Sequence, residues 1–173
     1  MEMGKPFPQS LGEVKKVVAF CNYYSKNQEP IFPHQVKSNA KKKTLIRYKP
    51  LGIIHFIVPF NFPFFLNFKG GLPNLLLGNT MLTRNADSTP LLGLAIEELM
   101  NDAGYDSGEY QNVFTNHEQL DLILSRNSVG GVSFTGSSRA GAAIASKAGQ
   151  HLKKSVMELG GNDPFVVLKD ANL

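Results

Sequence analysis

One carboxylate in this 173-residue chain, Glu158, is placed by its neighbours to do chemistry. It lies in S-V-M-E-L-G-G-N-D-P, Ser155 to Pro164, a short step after S-F-T-G-S-S-R-A-G, Ser133 to Gly141. Val132 to Phe134 read as an apolar strand tip. Thr135-Gly136-Ser137 turns the chain, and a helix is predicted to begin near Ser138. Free amides and the positive end of the helix dipole at such a start suit a phosphate. Gly136 lets the backbone come close, Ser137 adds a hydroxyl, and Gly141, Ala142, Ala143 and Ala145 let the helix press on a sheet. This is not the G-x-G-x-x-G fingerprint, and a plain strand–helix turn would give the same letters. Glu158, followed by Leu159 and two glycines, could hold a carboxylate beside that phosphate with little bulk in the way. Equally, it could be a solvated strand-end glutamate.

Those two loops need a scaffold. Apolar runs predict strands at Thr44–Tyr48, Ile53–Val58, Thr80–Thr83, Tyr110–Phe114, Val129–Thr135, Ser155–Glu158 and Phe165–Leu168. Helices fall between most of them. Pro63–Leu77 is apolar on nearly all sides and should be buried, with a kink at Gly70, Gly71 and Pro73. Thr89-Pro90 opens the next helix, which Gly104 stops. Asn116 and Gln119 cap a third, and Ser137–Ala148 is a fourth. An earlier helix spans Ser10 to about Lys26, with Ser10 and Glu13 at capping-box spacing. Its apolar stripe is Leu11, Val14, Val17, Val18, Cys21 and Tyr24, so Cys21 reads as a small buried hydrophobe. Pro30 and Pro33 break the chain, and Asn39–Lys43 is a polar connection. Strand–helix alternation argues for an α/β fold, an open and mostly parallel sheet covered on both faces. The expected organisation is a single domain over 1–173, with an N-terminal helix and connection at 1–43 and an alternating core at 44–173.

Composition narrows the function classes. The net charge is +4, and the lysines fall in short groups (Lys15-Lys16, Lys41-Lys42-Lys43, Lys153-Lys154) that read as solvated faces. No aromatic-interleaved basic motif points to nucleic acid. The only cysteine is Cys21, so no internal disulfide can form, which fits a reducing compartment. Met1 to Pro6 has no apolar signal-peptide core. The apolar run Leu51–Phe68 is interrupted by Pro59, Asn61, Pro63 and Asn67, short of a membrane span. No metal-ligand constellation is apparent.

Taken in order, the motifs resemble the aldehyde dehydrogenase superfamily. They are P-L-G-I-I (Pro50–Ile54), P-F-N-F-P (Pro59–Pro63), G-N-T (Gly78–Thr80), S-T-P (Ser88–Pro90), F-T-G-S (Phe134–Ser137) with Gly141, and E-L-G-G (Glu158–Gly161) followed by Asp163-Pro164. M-G-K-P at Met3–Pro6 and the stretch from His151 to Leu173 most resemble the succinate-semialdehyde dehydrogenase branch. The resemblance implies a Rossmann-like coenzyme-binding domain holding NAD, with NADP possible. It also implies a mechanism in which a cysteine thiolate attacks the aldehyde, hydride leaves to the nicotinamide, and water hydrolyses the thioester. In that scheme Asn61 donates to the oxyanion, and its alternative is a turn or helix-cap asparagine. Glu158 takes the proton of the hydrolytic water, a role that needs partly apolar surroundings. Val58, Pro59, Phe60 and Asn61 lie along the cofactor, Gly136, Ser137 and Gly141 form the pyrophosphate site, and Leu159 lies beside the nicotinamide. Arg84 stands where the family has a lysine on the adenosine ribose. Asp87 stands where an acid can accept from the ribose 2′-hydroxyl and repel a 2′-phosphate, favouring NAD over NADP.

The sequence also departs from the family pattern. Phe60 replaces a tryptophan, and Asn116 stands where glycine is common. The family nucleophile lies beyond the E-L-G-G motif, past Leu173, and Cys21 matches no nucleophile motif. The expectation is therefore part of an NAD(P)-dependent aldehyde dehydrogenase, acting on succinic semialdehyde or a similar aldehyde, that is inactive alone. The alternative is a non-catalytic truncated homologue serving as a structural subunit of a homo-oligomer or larger complex. The compartment expected is cytoplasm or mitochondrial matrix, not secreted.

Overall fold

A computed structural model describes residues 2–31, 35–39 and 41–172. Five strands form one parallel sheet in the order β5-β4-β3-β6-β7, with β3 Ile53–Val58, β4 Thr80–Asn85, β5 Tyr110–Asn112, β6 Val129–Thr135 and β7 Lys154–Glu158. The connecting helices are α2 Pro63–Leu76, α3 Pro90–Asp102, α4 His117–Leu124 and α5 Ser138–Gln150. The near-continuous apolar run I-I-H-F-I-V puts β3 in the middle, because a strand there must be apolar on both sides. Ile54, Phe56 and Val58 face one core with Met81, Tyr110, Phe68, Ile96 and Met100. Ile53 and Ile57 face the other, with Val132, Phe134, Leu120, Leu124, Ile144 and Ala148. Each fully buried side chain of this kind contributes roughly 1.5–3 kcal/mol. The sheet is thus covered on both faces, as the alternation of elements predicts.

Local chemistry explains the edges. Asn116 accepts from the Glu118 and Gln119 amides, and Gln119 returns a bond to the Asn116 amide, so the capping box of α4 forms as expected. Pro90 opens α3, and Gly104 follows it with φ +93°. The G-N-T motif is a structural joint: Asn79 Oδ1 accepts from the Leu51 amide at 2.5 Å and the Gly52 amide at 3.3 Å, tying the end of α2 to the start of β3. At Gly70, a Cβ would lie 2.1 Å from Phe56 Cζ, so glycine there lets α2 lie close on β3. Helix α2 itself continues through Pro73 to Leu76.

The N-terminal third departs from expectation. Helix α1 spans Phe7–Ile31, past Pro30, and has one non-helical residue at Asn27. Ser10 does not cap it. The Ser10 amide already bonds the Pro6 carbonyl at 3.1 Å, and Pro8 fits the first turn because its missing N–H would have no partner there. Glu13 turns away to Lys5 and α2. Of the expected stripe, Val17 is buried and Cys21 and Tyr24 are half-buried, whereas Leu11, Val14 and Val18 are exposed. Pro33 lies outside the described residues. Within the expected connection Asn39–Lys43, Asn39 and Lys42-Lys43 belong instead to an antiparallel strand pair, β1 Gln35–Asn39 and β2 Lys42–Ile46, which takes up most of the Thr44–Tyr48 strand and stands apart from the main sheet. Tyr110–Phe114 shortens to Tyr110–Asn112. Phe165–Leu168 forms no strand: its side chains are exposed, Phe165 to 93%, and no strand among the described residues pairs with it. Apolar letters alone do not make a strand without a partner edge.

Candidate functional site

In a parallel sheet every strand's C-terminal end falls on the same edge, and ligands of open α/β sheets bind there. Val58, Asn85, Thr135 and Glu158 are the ends of β3, β4, β6 and β7. The sequence-predicted residues lie at those ends or shortly after them, apart from Arg84, one residue inside β4. Strands β3 and β7 are separated by β6 alone, so their tips lie about 10 Å apart at ordinary strand spacing.

The two motif loops are in contact. Thr135 is in register with Glu158, and the Gly136 amide donates to the Glu158 carbonyl oxygen at 3.0 Å. Ser137 is the N-cap of α5, its Oγ accepting from the Ala140 amide at 3.3 Å. The remaining first-turn amides of α5 point along the helix axis toward the same edge. A Cβ on Gly141 would fall 2.4 Å from Leu159 Cδ2, so Leu159 lies directly against the first turn of α5. A Cβ on Gly160 would lie 3.9 Å from Ser138 Oγ. Helix start, Leu159 and the backbone of Glu158 therefore meet at one place on this edge, while Met157 packs on the α5 side and the Glu158 carboxylate turns to the α2 side.

Glu158 is not in apolar surroundings. Its side chain is 58% exposed, and its Oε1 lies 3.7 Å from Lys69 Nζ on α2. The sequence motif for Glu158 carries no trace of Lys69, which reaches it from another element. Asn61 sits on the exposed turn between β3 and α2. Its Oδ1 accepts from the Phe62 amide at 3.1 Å, which leaves Nδ2 free to donate elsewhere. Pro59 is half-buried and Phe60 is exposed on the same turn. Val58 is buried with its side chain in the core beneath, so it can offer a ligand only its backbone.

The other end of the edge is an open cleft of about 460 Å³ lined by Arg84, Asn85, Asp87, Pro90 and the Phe114–His117 segment. Arg84 Nη2 donates to Asp87 Oδ1 at 2.7 Å, and its Nε donates to the Thr115 carbonyl at 3.2 Å. Asp87 is 92% exposed in its side chain and Arg84 only 22%. The pair therefore presents a carboxylate outward and a cation behind it. Beneath the edge runs a buried amide chain that the sequence reading missed. Asn67 Nδ2 donates to the Pro63 carbonyl and to Asn85 Oδ1, Asn85 donates to Asn112 Oδ1, and the Tyr110 hydroxyl donates to Asn67 Oδ1 at 2.9 Å. Burial pushes the Tyr110 hydroxyl far above its ordinary pKa, so it stays a donor. The signal for this chain was a run of asparagines in otherwise apolar elements.

Cys21 lies on α1, packed against the first core. Burial raises its thiol above the ordinary value, with a backbone hydrogen bond opposing, which is the wrong direction for a thiolate nucleophile. Among the described residues no helix is long and apolar enough to cross a membrane, and no group of three His, Cys, Asp or Glu side chains could hold a metal.

The fit to a dinucleotide rests on that geometry: the free amides of a helix start at one end, a cleft with both charge signs at the other, and a carboxylate between β7 and α2. Comparison with known proteins agrees with it. A model of the aldehyde dehydrogenase family matches residues 1–173. The chain is 38% identical over 173 residues to a succinate-semialdehyde dehydrogenase (NADP(+)) of Deinococcus radiodurans, covering 100% of this chain and 36% of that protein. It is 37% identical over 172 residues to the Escherichia coli succinate semialdehyde dehydrogenase (NAD(P)+) Sad, covering 99% and 37%. The crystal structure of a succinic semialdehyde dehydrogenase from Streptococcus pyogenes in complex with NADP+ superposes with a TM-score of 0.91 at 33% identity, over 99% of this chain and 38% of that one. The chain thus spans less than two fifths of the length of these proteins.

Proposed function

We propose a function for this chain from one premise: it belongs to the aldehyde dehydrogenase family. It is the dinucleotide-binding part of an enzyme that oxidises an aldehyde to the carboxylic acid, with succinic semialdehyde or a similar oxo-acid as substrate. The observation that carries this reading is the contact between the two motif loops, Gly136 amide to Glu158 carbonyl and Leu159 on Gly141, on the same sheet edge as the turn bearing Asn61.

In this reading the pyrophosphate lies at the start of α5, against the amides after Ser137, and the adenosine ribose lies at Arg84 and Asp87. A bound NAD or NADP supplies a hydride acceptor at the groove between Asn61 and Glu158. Asn61 Nδ2, released by the bond that Oδ1 makes to Phe62, donates to the carbonyl oxygen as negative charge grows on it. One donor of this kind is worth roughly 3–4 kcal/mol. Glu158 takes the proton from the hydrolytic water. Its present exposure and its Lys69 neighbour mean that the role requires more of the site to be enclosed than this chain encloses. Cys21 does not serve as nucleophile, so the attacking thiolate comes from beyond this chain.

Both cofactors are ligands in this reading. Asp87 accepts from a 2′-hydroxyl, while Arg84 behind it can receive a 2′-phosphate if Asp87 turns aside. The relatives named above support the NADP side. Calorimetric titration of the chain with NAD+ and with NADP+ tests the site, and absorbance at the reduced-nicotinamide band with succinic semialdehyde tests turnover. The expected outcome is binding without turnover. No heat with either dinucleotide would overturn the reading, and steady turnover by the pure chain would overturn the assignment of the nucleophile.

A second reading has its own support. Leu152, Phe165, Val166 and Leu168 are large apolar side chains left exposed around the edge strand β7 and the segment after it. Apolar surface of that kind meets a partner. As a non-catalytic subunit of a homo-oligomer or larger complex, the chain would sediment as an assembly and bind no dinucleotide.

A further inference from the structure

Lys5, in the Met-Gly-Lys-Pro segment, has no part in the mechanism above, yet it is built into it. Its Nζ lies 2.5 Å from Glu13 Oε2, donates to the Asn61 carbonyl oxygen at 3.0 Å, and sits 3.8 Å above the centre of the Phe62 ring. Two of the ammonium's N–H donors are spent on these oxygens, and the ring face beside it attracts the positive charge. The side chains of Lys5 and Glu13 are 9% and 5% exposed. Charges at that depth persist because each compensates the other. Glu13 Oε1 meanwhile accepts from the Phe65 amide at 2.8 Å, one of the first-turn amides of α2 that has no partner inside the helix. The pair therefore grips the turn on both sides of Phe62-Pro63. No side-chain cap from Phe62 holds that helix start.

We propose that Lys5, anchored by Glu13, is the positioning residue for the Asn61 side chain. Lys5 fixes the Asn61–Phe62 peptide through the Asn61 carbonyl and the Phe62 ring. The Phe62 amide of the same peptide fixes Asn61 Oδ1, and Nδ2 is thereby aimed outward. The proposal rests on the reading of Asn61 as the carbonyl-oxygen donor. A donor of that kind must be held to within about 0.5 Å, and an exposed turn does not do so unaided.

The test uses the 173-residue chain labelled with nitrogen-15, free of ligand. Lys5→Met removes the grip, and Lys5→Met with Glu13→Gln removes it while leaving no buried charge and keeping an acceptor for the Phe65 amide. Should the single variant not fold, the double variant decides. The expected result is that the Asn61 side-chain amide resonances shift and the Phe62 amide exchanges with solvent roughly tenfold to hundredfold faster, the loss of one charge-assisted bond. The Met81 and Val132 amides of the sheet keep their protection, and Lys5→Arg restores the Asn61 and Phe62 signals. Unchanged Asn61 and Phe62 signals in the double variant would overturn the proposal. So would an equal loss of protection at Met81 and Val132, which would make Lys5 a general stabiliser. The dinucleotide titration of the unaltered chain is independent of this result. Binding with an indifferent Asn61 removes the clamp alone, and a responsive Asn61 without binding removes the functional reading alone.

Discussion

Replacing Gly70 by alanine puts one methyl group where α2 meets β3. The new Cβ would stand 2.1 Å from Phe56 Cζ, 2.4 Å from Cε2 and 3.2 Å from Cε1. Carbon atoms rest at about 3.5–4.0 Å, so the gap must open by roughly 1.4–1.9 Å. Phe56 is buried in the first core, so its ring has no solvent to turn into. The helix must lift instead. Overpacking costs about 1–3 kcal/mol, and so wide a gap against a buried ring belongs to the upper part, about 2–3 kcal/mol, of which the better helix propensity of alanine returns about 1 kcal/mol. The balance is a loss of about 1–2 kcal/mol, or a fall in Tm of roughly 2–8 °C for a chain of this size. Thermal unfolding followed by circular dichroism measures it, and Phe56→Leu in the Gly70→Ala background should recover part of the loss. An unchanged or raised Tm in Gly70→Ala would refute the close approach of α2 to β3 on which the argument stands.

Three further outcomes follow from the same geometry. Gly141→Ala makes a contact nearly as tight, 2.4 Å, but with the tip of half-exposed Leu159, which can swing away. Stability should hold or rise slightly, while dinucleotide affinity measured by calorimetry falls; a matching Tm loss in both alanine variants would contradict this. Asp87→Asn removes the outward carboxylate while leaving Arg84, so the ratio of NADP+ to NAD+ affinity should rise a few-fold, the modest effect of an exposed charge; an unchanged ratio would remove Asp87 from cofactor choice. His55 is buried with Nδ1 2.9 Å from the Leu82 carbonyl, so Nδ1 carries the proton and donates. Burial first, opposed by that bond and aided by the Arg84 charge, holds its pKa below the ordinary 6.5. A depressed folded-state value means its stability contribution is complete above about pH 6.5 and drains away as pH falls toward the folded value. Urea midpoints between pH 7.5 and 5 should therefore decline more steeply for the natural chain than for His55→Asn, and parallel declines would count against the assignment.

The sheet was legible in the sequence wherever burial on both sides left a mostly apolar run, as in Ile53–Val58 and Val129–Thr135. Ends with a short-range chemical signature were legible too: Pro90, Gly104, and Asn116 with Gln119. The strand pair Gln35–Asn39 and Lys42–Ile46 was not, because exposed strands rich in lysine carry no apolar period. Ser10 and Glu13 matched a capping box in spacing, but the spacing is blind to Pro6 and Pro8, which start the helix earlier. At the site, Gly136, Ser137, Glu158 and Leu159 could be grouped from their two motifs because adjacent parallel strands carry them. The couplings Lys69–Glu158, Lys5–Asn61 and Asn67–Asn85–Tyr110 could not, since each joins residues that only the tertiary fold brings together. Fifty-six positions separate Lys5 from Asn61.

Strand β3 has neighbours of very different origin. Ile53 is in register with Thr80 on one side and with Val129 on the other. The α2–β4–α3–β5 layer can condense on β3 through short loops, whereas β6 must wait for a far longer loop to close, at greater entropic cost. A nascent chain should accordingly build the Phe56–Met81–Tyr110 side first and acquire its back half as a second event. The start of α5, which we propose receives the pyrophosphate, would then come into being only at that late stage, after the Asn61 turn is already seated. Pulse-labelled hydrogen exchange during refolding, with Met81 and Tyr110 protected ahead of Val132, is the expected record of that order.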